Sequence, residues 1–401
     1  MKTAPADANA ARDYDVLVAG AGLVGLAVAP ALAQLGLRVA LADRVPVAMP
    51  AVADSDADWD TRVYAISPGS AAFLRAVGAW QALAPERISA IEAMTVTGDS
   101  GASLTFSAYD LGERALAWIV EERELRAALV PCVHVAGVDV YAPRSFAALT
   151  WSAAAGVLRF DDGASVTARL IAAADGLHSW VRGAAGIVAA VNPYGQTAVV
   201  ANFACEQAHR GCARQWFLAD GGILAWLPLP GRRISIVWSA PAALAAELLA
   251  QDPEALATRV AAAGQRALGA LRNITPAASF PLAFMRLPAP VAHRLALLGD
   301  AAHGIHPLAG QGVNLGFGDA EALAAVLRER GPVTDAGDPA LLERYARRRV
   351  EPVRAMQTVT DGLVHLFGGS DPLLKAVRNL GMSAIDRLPL AKRLLAQSAL
   401  H

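Results

Sequence analysis

Three glycines near the start of the chain, Gly20, Gly22 and Gly25, constrain its fold more than any other feature. They follow an apolar strand predicted over Asp15–Ala19 and open a helix predicted over Leu23–Leu35. In such a turn the first glycine permits the tight bend, the second lets the backbone approach a pyrophosphate, and the third lets the helix lie close to the sheet. The N-terminus of the helix then faces the phosphates. The segment therefore predicts a dinucleotide-binding β-α-β unit.

An acidic residue lies where such a unit needs one. A second strand, predicted over Arg38–Ala42, ends at Asp43, roughly 20 residues after the glycines, where a carboxylate binds the ribose hydroxyls. The next residue, Arg44, is assigned to the same predicted cofactor site. Two strands joined by one helix imply a parallel sheet, because such crossovers return in the same direction.

Two later strands also end in paired glycine and aspartate residues. One runs from Ile171 into Asp175 and Gly176, and the other ends at Gly299 and Asp300. Each motif places a carboxylate at the carboxyl end of a parallel strand, where open α/β sheets bind their ligands. An Asp-Gly pair alone also marks ordinary turns. These motifs therefore indicate a ligand site only in combination with the other motifs of the chain.

A glycine-rich loop follows the second of these motifs and leads into a helix predicted over Val313–Arg328. The segment His306–Asp319 offers free backbone N–H groups and the positive end of a helix dipole to a ligand. The residues expected to border that ligand are Pro307, Gly310, Gln311, Gly312, Val313 and Asn314.

These motifs together resemble the flavin hydroxylases of ubiquinone biosynthesis, within the p-hydroxybenzoate-hydroxylase-like flavoprotein monooxygenases. His306–Asp319 is similar to the signature segment of that family, and Arg62–Ser67 (RVYAIS) is similar to the segment before its first substrate-domain element. Trp216-Phe217 and Leu227-Pro228-Leu229 resemble the core sheet of the family, and Thr360-Asp361 with Leu366-Phe367 resemble its C-terminal helices. The resemblance covers nearly the whole chain.

The resemblance implies a cofactor and a reaction. FAD would be held at its ADP half by the first glycine turn and Asp43, and Asp300 would contact the ribitol and pyrophosphate. The resemblance also implies cofactor contacts for Arg62, Arg123 and the Asp175-Gly176 pair. NAD(P)H or another reductant would supply electrons, and O₂ would supply the hydroxyl group added to an electron-rich phenol. Many members of the family carry glutamate at the position of Asp43, and either carboxylate can accept two ribose hydroxyls.

Composition limits the remaining possibilities. Of 401 residues, 55% are hydrophobic and 18% are charged, with a net charge of −1. A nucleic-acid-binding protein would need a basic face, so that class is not expected. No apolar run is long enough to span a bilayer, and the first residues lack the apolar core of a secretory signal. The three cysteines form no CxxC pair, so we expect a cytoplasmic protein without a structural metal.

The order of the predicted elements indicates an α/β domain that is formed from several separate segments of the chain. A strand-rich block between Gln196 and Ser239 interrupts segments that alternate strands and helices. We therefore expect a discontinuous Rossmann-like FAD-binding domain, an inserted mixed-sheet substrate domain and a helical C-terminal tail. The expected ranges are 12–75, 107–185 and 283–335 for the FAD-binding domain, 76–106 and 186–282 for the substrate domain, and 336–401 for the C-terminal region.

Several alternatives remain open at this stage. The substrate could be a small soluble aromatic compound or a secondary metabolite, and the chain could be a non-catalytic FAD-containing scaffold of a biosynthetic complex. His303 and His306 are interpreted as packing and hydrogen-bonding residues, since no metal-ligand pattern surrounds them. The tail after Pro372 mixes leucines with Lys392, Arg393 and other basic residues. It could rest on the inner face of a membrane or bind another quinone-biosynthesis protein.

Overall fold

The structure is a computed structural model, and it describes residues 12–51, 58–99, 101–306 and 312–368. Pro307, Gly310 and Gln311 of the predicted flavin loop lie outside these residues, as does the basic tail after Pro372.

The strands of the described chain fall into three sheets. They are β1 (Arg12–Ala19), β2 (Val39–Ala42), β3 (Val63–Ile66), β4 (Ser89–Ile91), β5 (Ala93–Thr97), β6 (Ser103–Ser107), β7 (Ala117–Glu121), β8 (Asp139–Tyr141), β9 (Phe146–Trp151), β10 (Gly156–Phe160), β11 (Ser165–Ala173), β12 (Ala190–Cys205), β13 (Cys212–Phe217), β14 (Ile223–Leu229), β15 (Arg233–Pro241), β16 (Leu271–Asn273), β17 (Ala278–Arg286), β18 (Val291–Ala292) and β19 (Leu295–Leu297).

The helices cover the sheets and complete the cores. They are α1 (Leu23–Ala33), α2 (Pro68–Val77), α3 (Ala108–Leu111), α4 (Glu122–Val135), α5 (Trp180–Ala184), α6 (Ala242–Ala250), α7 (Pro253–Ala263), α8 (Gly312–Arg328) and α9 (Pro339–Gly368). The helical stretch predicted over Pro241–Leu268 is two helices, because Asp252 caps α7 and Pro253 begins it. No helix in these ranges has the length and hydrophobicity needed to cross a membrane.

The first sheet is the parallel sheet that the glycine turn predicts. Its strands follow the order β18-β19-β11-β1-β2-β8, with β10 and β9 added beyond β11. β1 pairs in parallel with β2 and β11, and β19 pairs in parallel with β11. The carboxyl ends of β1, β2, β11 and β19 therefore lie along one edge, and all the predicted acidic motifs follow these strands.

The second sheet is mixed. Its order is β16-β12-β15-β14-β13-β5-β6, with β17 also paired to β12. All its ladders are antiparallel except β13 with β5. One face packs on α6 and α7 through a core that includes Trp216, Trp226 and Trp238. These tryptophans are buried in the sheet core, which is the role expected for most of the strand aromatics.

The opposite face of the mixed sheet looks toward the parallel sheet. A small antiparallel sheet, β3-β7-β4, lies against part of this face, and its Ala65 and Ile119 share a core with Ala213 and Leu227. The end of α9 covers another part, where Leu363 and Val364 pack near Phe217. The predicted fold class, an α/β FAD-binding fold with an inserted mixed sheet and a helical C-terminal region, is confirmed.

The predicted domain ranges remain a proposal. The strands of the mixed sheet come from two separate parts of the chain, 93–107 and 190–286. The predicted boundary at 75/76 falls inside α2, and the boundary at 282/283 falls inside β17. A cut in the middle of a paired strand would leave its ladder divided, so these two boundaries are approximate.

Candidate active site

The three glycines of the first turn differ in what surrounds them. Gly20 has φ +104°, and a Cβ there would collide with the carbonyl of Ala174. A Cβ at Gly25 would collide with the carbonyl of Gly20. A Cβ at Gly22, in contrast, would meet no atom within 4 Å. Gly20 and Gly25 are therefore required by the packing of the protein itself, whereas Gly22 faces open space that a ligand can use.

Asp43 closes this turn from the end of β2. One carboxylate oxygen accepts a hydrogen bond from the backbone N–H of Ala21, and the other accepts one from Val45 N at 2.8 Å. Each carboxylate oxygen can accept a further hydrogen bond, so both ribose hydroxyls could still donate to Asp43. Arg44 is exposed beside it and makes no ion pair with another described residue.

Arg126 holds the same turn, although the sequence analysis did not select it. From α4 it donates to Ala21 O at 2.9 Å and to Pro46 O at 3.3 Å. It lies three residues after Arg123, so both arginines share one side of the helix. The place of Arg126 three residues after Arg123 on the same helix was the available signal.

Arg123 is already engaged within the protein. Its guanidinium donates to an Asp58 carboxylate oxygen at 2.8 Å and to Asp58 O at 2.7 Å. It also lies 3.7 Å from Glu121, a fully buried carboxylate that accepts two hydrogen bonds from Arg87. Arg123 therefore orders the segment before β3, and its predicted contact with the cofactor remains a proposal.

The Asp175-Gly176 motif packs directly on the glycine turn. The carboxylate of Asp175 accepts from Ser179 Oγ at 2.5 Å and from Val181 N at 3.0 Å. Gly176 has φ +84°, which permits the bend before α5. Asp175 thus shapes its own loop, and the adjacent Ala174 contacts Gly20. A direct contact between Asp175 and a cofactor remains a proposal.

Asp300 lies at the same edge and is exposed to solvent. Desolvation by the surrounding protein raises the pKa of this carboxyl group. The charge of His303 lowers that pKa, and the negative charge of Asp319 raises it further. Burial also raises the pKa of Tyr64, and the charges of Glu122 and Asp300 raise it further. The charge of Asp300 therefore acts on Tyr64 of the RVYAIS segment.

A buried ion network supports the Gly299-Asp300 motif from behind. Asp319, which is 1% exposed, accepts from Gly299 N at 2.8 Å, from His303 Nε2 at 2.6 Å and from Arg349 Nε at 2.6 Å. Burial opposes ionisation of Asp319, but His303 and Arg349 hold its pKa below the ordinary value. His303 is thus a hydrogen-bonding residue, as the sequence analysis proposed.

The start of α8 is tied to β3 through Asn314. Its side-chain oxygen accepts from Ser67 N at 3.0 Å, and its amide nitrogen donates to Ala65 O at 2.8 Å. Val313 is buried in the core of the parallel sheet, and Gly312 is the first residue of α8. Asn314 therefore joins the signature segment to the RVYAIS segment, and its predicted contact with the flavin remains a proposal.

His306 is buried at the end of the described part of this loop. Its Nε2 lies 3.0 Å from Gln196 Oε1, and its ring packs edge-on against Tyr194. Burial lowers the pKa of His306 to about 4, so the ring is neutral at physiological pH. No group of three or more His, Cys, Asp or Glu side chains within the described ranges could hold a metal ion.

A cavity of about 450 Å³ opens between strands β12 and β17 of the mixed sheet on one side and α4 with the segment before β3 on the other. Arg62, Arg123 and Arg126 line one side, and Val200, Ala278 and Phe280 line the other. Arg62 forms an ion pair with Glu122 at 3.0 Å and stays largely exposed on the cavity wall. Asp60 and Glu122 line the same side as the arginines, so the cavity is charged there and mostly apolar on the side of the mixed sheet.

Beyond the cavity, the sheet face continues as a nearly apolar surface. Strand pairing places six residues side by side across it, namely Val96, Gln215, Ala225, Val237, Val200 and Ala278. We call this line of side chains the middle row. The rows on either side of it pack under the small sheet and under α9, and two members of the middle row join them, since Val237 packs against the core under the small sheet and Val96 against the core under α9.

These features fit FAD. The second glycine leaves room for a pyrophosphate, Asp43 retains acceptor capacity for a ribose, and Asp300 is exposed along the same sheet edge. Arg126 contacts the glycine turn itself, and its positive charge suits the negative charge of a pyrophosphate there. Gly20, Gly22, Gly25, Asp43 and Asp300 are the residues that would hold the cofactor.

Comparison with known proteins agrees with this geometry. Residues 13–360 match the family described as FAD binding domain. The chain is 36% identical to ubiquinone hydroxylase UbiL of Rhodospirillum rubrum, covering 99% of this chain and 92% of the relative. It is 34% identical to 3-demethoxyubiquinol 3-hydroxylase of Escherichia coli, covering 96% and 98%.

A solved structure shares the fold. PqsL of Pseudomonas aeruginosa, solved in complex with 2-aminobenzoylacetate, superposes with a TM-score of 0.77 at 24% identity, covering 92% of this chain and 99% of that one. The family match spans most of the chain, and the relatives above 30% identity span nearly all of it. The chain belongs to the FAD-binding-domain family of flavin-dependent monooxygenases.

Proposed function

We propose that this protein hydroxylates an electron-rich aromatic ring, and that the ring belongs to a prenylated phenol intermediate of ubiquinone biosynthesis. The observation that carries the proposal is the pairing of a cofactor cleft with a nearly apolar sheet face across one cavity. Two relatives that cover nearly the whole chain are named as ubiquinone and demethoxyubiquinol hydroxylases.

The residues of the chain would bind, orient and shield the reactants. When bound, FAD accepts two electrons from NAD(P)H or another reductant and activates O₂ for transfer of a hydroxyl group to the ring. The glycine turn and Asp43 would hold the ADP half of the cofactor, and Asp300 would hold the ribitol. The apolar sheet face would hold the aromatic ring and limit the access of water.

The sheet face favours an apolar substrate over an aromatic acid. A site for a small aromatic acid would need a cation or a set of hydroxyl donors opposite the carboxylate. The sheet side of the cavity instead presents Val200, Ala278 and Phe280. Of the arginines opposite, Arg62 is paired with Glu122 and Arg123 with Asp58. A small soluble aromatic or a secondary metabolite remains the alternative substrate, and a non-catalytic FAD-containing scaffold remains the alternative class.

The substrate also suggests where the protein works. A prenylated phenol resides in the bilayer, so we place the protein in the cytoplasm, in peripheral contact with the inner face of the membrane. Contact through the basic tail, or transfer of substrate from another quinone-biosynthesis protein, would bring the ring to the cleft. No role in nucleic-acid binding is proposed, since the net charge is −1.

The test is to profile quinone intermediates by mass spectrometry in a strain that lacks this protein. We expect a prenylated intermediate with one hydroxyl group fewer to accumulate and the mature quinone to fall. Complementation with wild-type protein should restore the profile, whereas the Gly22→Val variant should not. Restoration of the profile by a variant that cannot bind FAD would support the alternative that the protein is a non-catalytic scaffold. An unchanged quinone profile in the deletion strain would contradict the proposed pathway.

A further inference from the structure

A second cavity, of about 40 Å³, lies between the end of β17 and α9. We call it the arginine pocket, because Arg286, Arg349 and Arg354 line it. His303 and Asp319 line it as well, so the pocket borders the buried network around Asp319. A cavity that holds one water molecule needs roughly 10–15 Å³. The arginine pocket therefore has room for about three atoms of the size of an oxygen.

The pocket carries more positive than negative charge. The one carboxylate among its described lining residues, Asp319, is already bound by Arg349 and His303. Arg286 and Arg354 are exposed, and neither forms an ion pair with a carboxylate within the described ranges. Two positive charges at one small cavity repel each other. The arrangement therefore favours an anion that lies between them.

Arg286 is held in position by the protein. Its Nε donates to Gln357 Oε1 at 3.4 Å, and its guanidinium lies 5.7 Å from the centre of the Phe284 ring. Gln357 is 2% exposed, and its own amide nitrogen donates to Met285 O at 2.8 Å. These contacts use the Nε of Arg286 and leave its two terminal nitrogens to donate to a ligand. Paired guanidinium N–H groups match the oxygens of a phosphate.

We infer that the arginine pocket is a binding site for a phosphate group. Arg286 would bind its oxygens through paired hydrogen bonds, and Arg354 would supply a second cation from α9. The volume of the pocket suits a group that inserts about three oxygens. This site lies apart from the glycine turn and the cavity of the cofactor side, and the inference does not depend on the proposed reaction.

The other lining residues bear on the source of the phosphate. Most of them are apolar, and they include Leu287 and Pro288 after β17 and Val350 and Val353 on α9. A phosphate site with apolar surroundings and two cations suits the headgroup of a phospholipid, because apolar side chains and basic residues both favour contact with an anionic bilayer surface. Free phosphate carries the same chemical group, so the experiment compares both sources.

The experiment is calorimetric titration of the FAD-loaded protein, in which FAD fills the pyrophosphate site on the glycine turn. The probes are inorganic phosphate and dioctanoyl phosphatidylglycerol below its micellar concentration, at an ionic strength held constant with chloride. Wild-type protein should bind one phosphate group per chain. Arg286→Gln/Arg354→Gln should weaken that binding about tenfold or more, since a hydrogen bond from a charged group contributes at least this factor.

A matched control removes the same charge elsewhere. Arg272 on β16 and Arg347 on α9 are exposed arginines outside the pocket. Arg272→Gln/Arg347→Gln should bind both probes as the wild type does. Both double variants should keep the FAD content and the unfolding midpoint of the wild type, because all four side chains are exposed and surface substitutions change stability little.

The two probes separate the sources of the phosphate. Tighter binding of the lipid than of inorganic phosphate, lost in Arg286→Gln/Arg354→Gln alone, would support the site and identify a phospholipid headgroup. Binding of inorganic phosphate alone, with the same loss, would support the site and identify free phosphate. If the wild type binds neither probe, or if the two double variants lose affinity equally, the inference is overturned.

Discussion

Replacing Asp319 with asparagine tests the buried network behind the Gly299-Asp300 motif. The substitution keeps the shape of the side chain but removes the charge that Arg349 and His303 face at 2.6 Å. The guanidinium of Arg349 is only 11% exposed, so it would be left as a buried charge without its counterion. Breaking a buried pair in this way costs about 3–5 kcal/mol. The free energy of unfolding of the FAD-saturated protein should fall by that amount in urea titration.

A matched control lies directly after the same helix. Glu329 forms ion pairs with Arg344 and Arg348 of α9, but all three side chains are solvent-exposed. Glu329→Gln should therefore change stability little, because exposed pairs are screened by water. Since the pKa of Asp319 is lowered in the folded protein, its stabilising effect is present at neutral pH and is lost as the pH falls below about 4. If Asp319→Asn costs no more than Glu329→Gln, the network does not support the site.

Further predictions concern the cofactor and the tail. Gly22→Val should fold, because a Cβ there meets no protein atom, yet it should not bind FAD in a fluorescence titration. Gly25→Val should fail to fold. FAD binding by Gly22→Val would refute the assignment of the glycine turn to the pyrophosphate of FAD. Asp300→Ala should weaken FAD binding by about 1.5–3 kcal/mol. In wild-type protein the affinity for FAD should fall as the pH drops through the raised pKa of Asp300. Both effects can be measured by calorimetric titration with FAD. If neither the substitution nor the pH changes the affinity, the Gly299-Asp300 motif is only a turn. A Lys392/Arg393→Glu variant should sediment less with anionic liposomes at low salt and equally with neutral ones, and identical bound fractions would leave the tail without a membrane role.

Local sequence patterns predicted the parts of the site that depend on local geometry. The turn at Gly20, the strand ends at Asp43 and Asp300, and the parallel sheet follow from short segments whose backbone requirements are visible in the residues themselves. The sequence also shows the positive charge of Arg123, but it does not show which residue pairs with it. Its ion pair with Asp58 joins residues 65 positions apart, and nothing in the spacing distinguishes Arg123 from Arg126.

Contacts between distant segments could not be predicted. Asp319 reads as an ordinary acid at the end of a helical turn, and Arg349 reads as part of a solvated charge run. Only the packing of α9 on α8 brings them together. The apolar face becomes visible only when five strand pairings are known.

The most direct test of the account is to follow the origin of the new oxygen atom. Purified FAD-loaded protein would be given a reductant, a prenylated phenol and ¹⁸O₂ in ordinary water, and the product would be analysed by mass spectrometry. We predict one ¹⁸O atom in each product molecule, located in the new hydroxyl group on the ring. A product that carries oxygen from water, or reduction of all the O₂ to H₂O₂ with every phenol tested, would contradict the assignment of this protein as a ring hydroxylase.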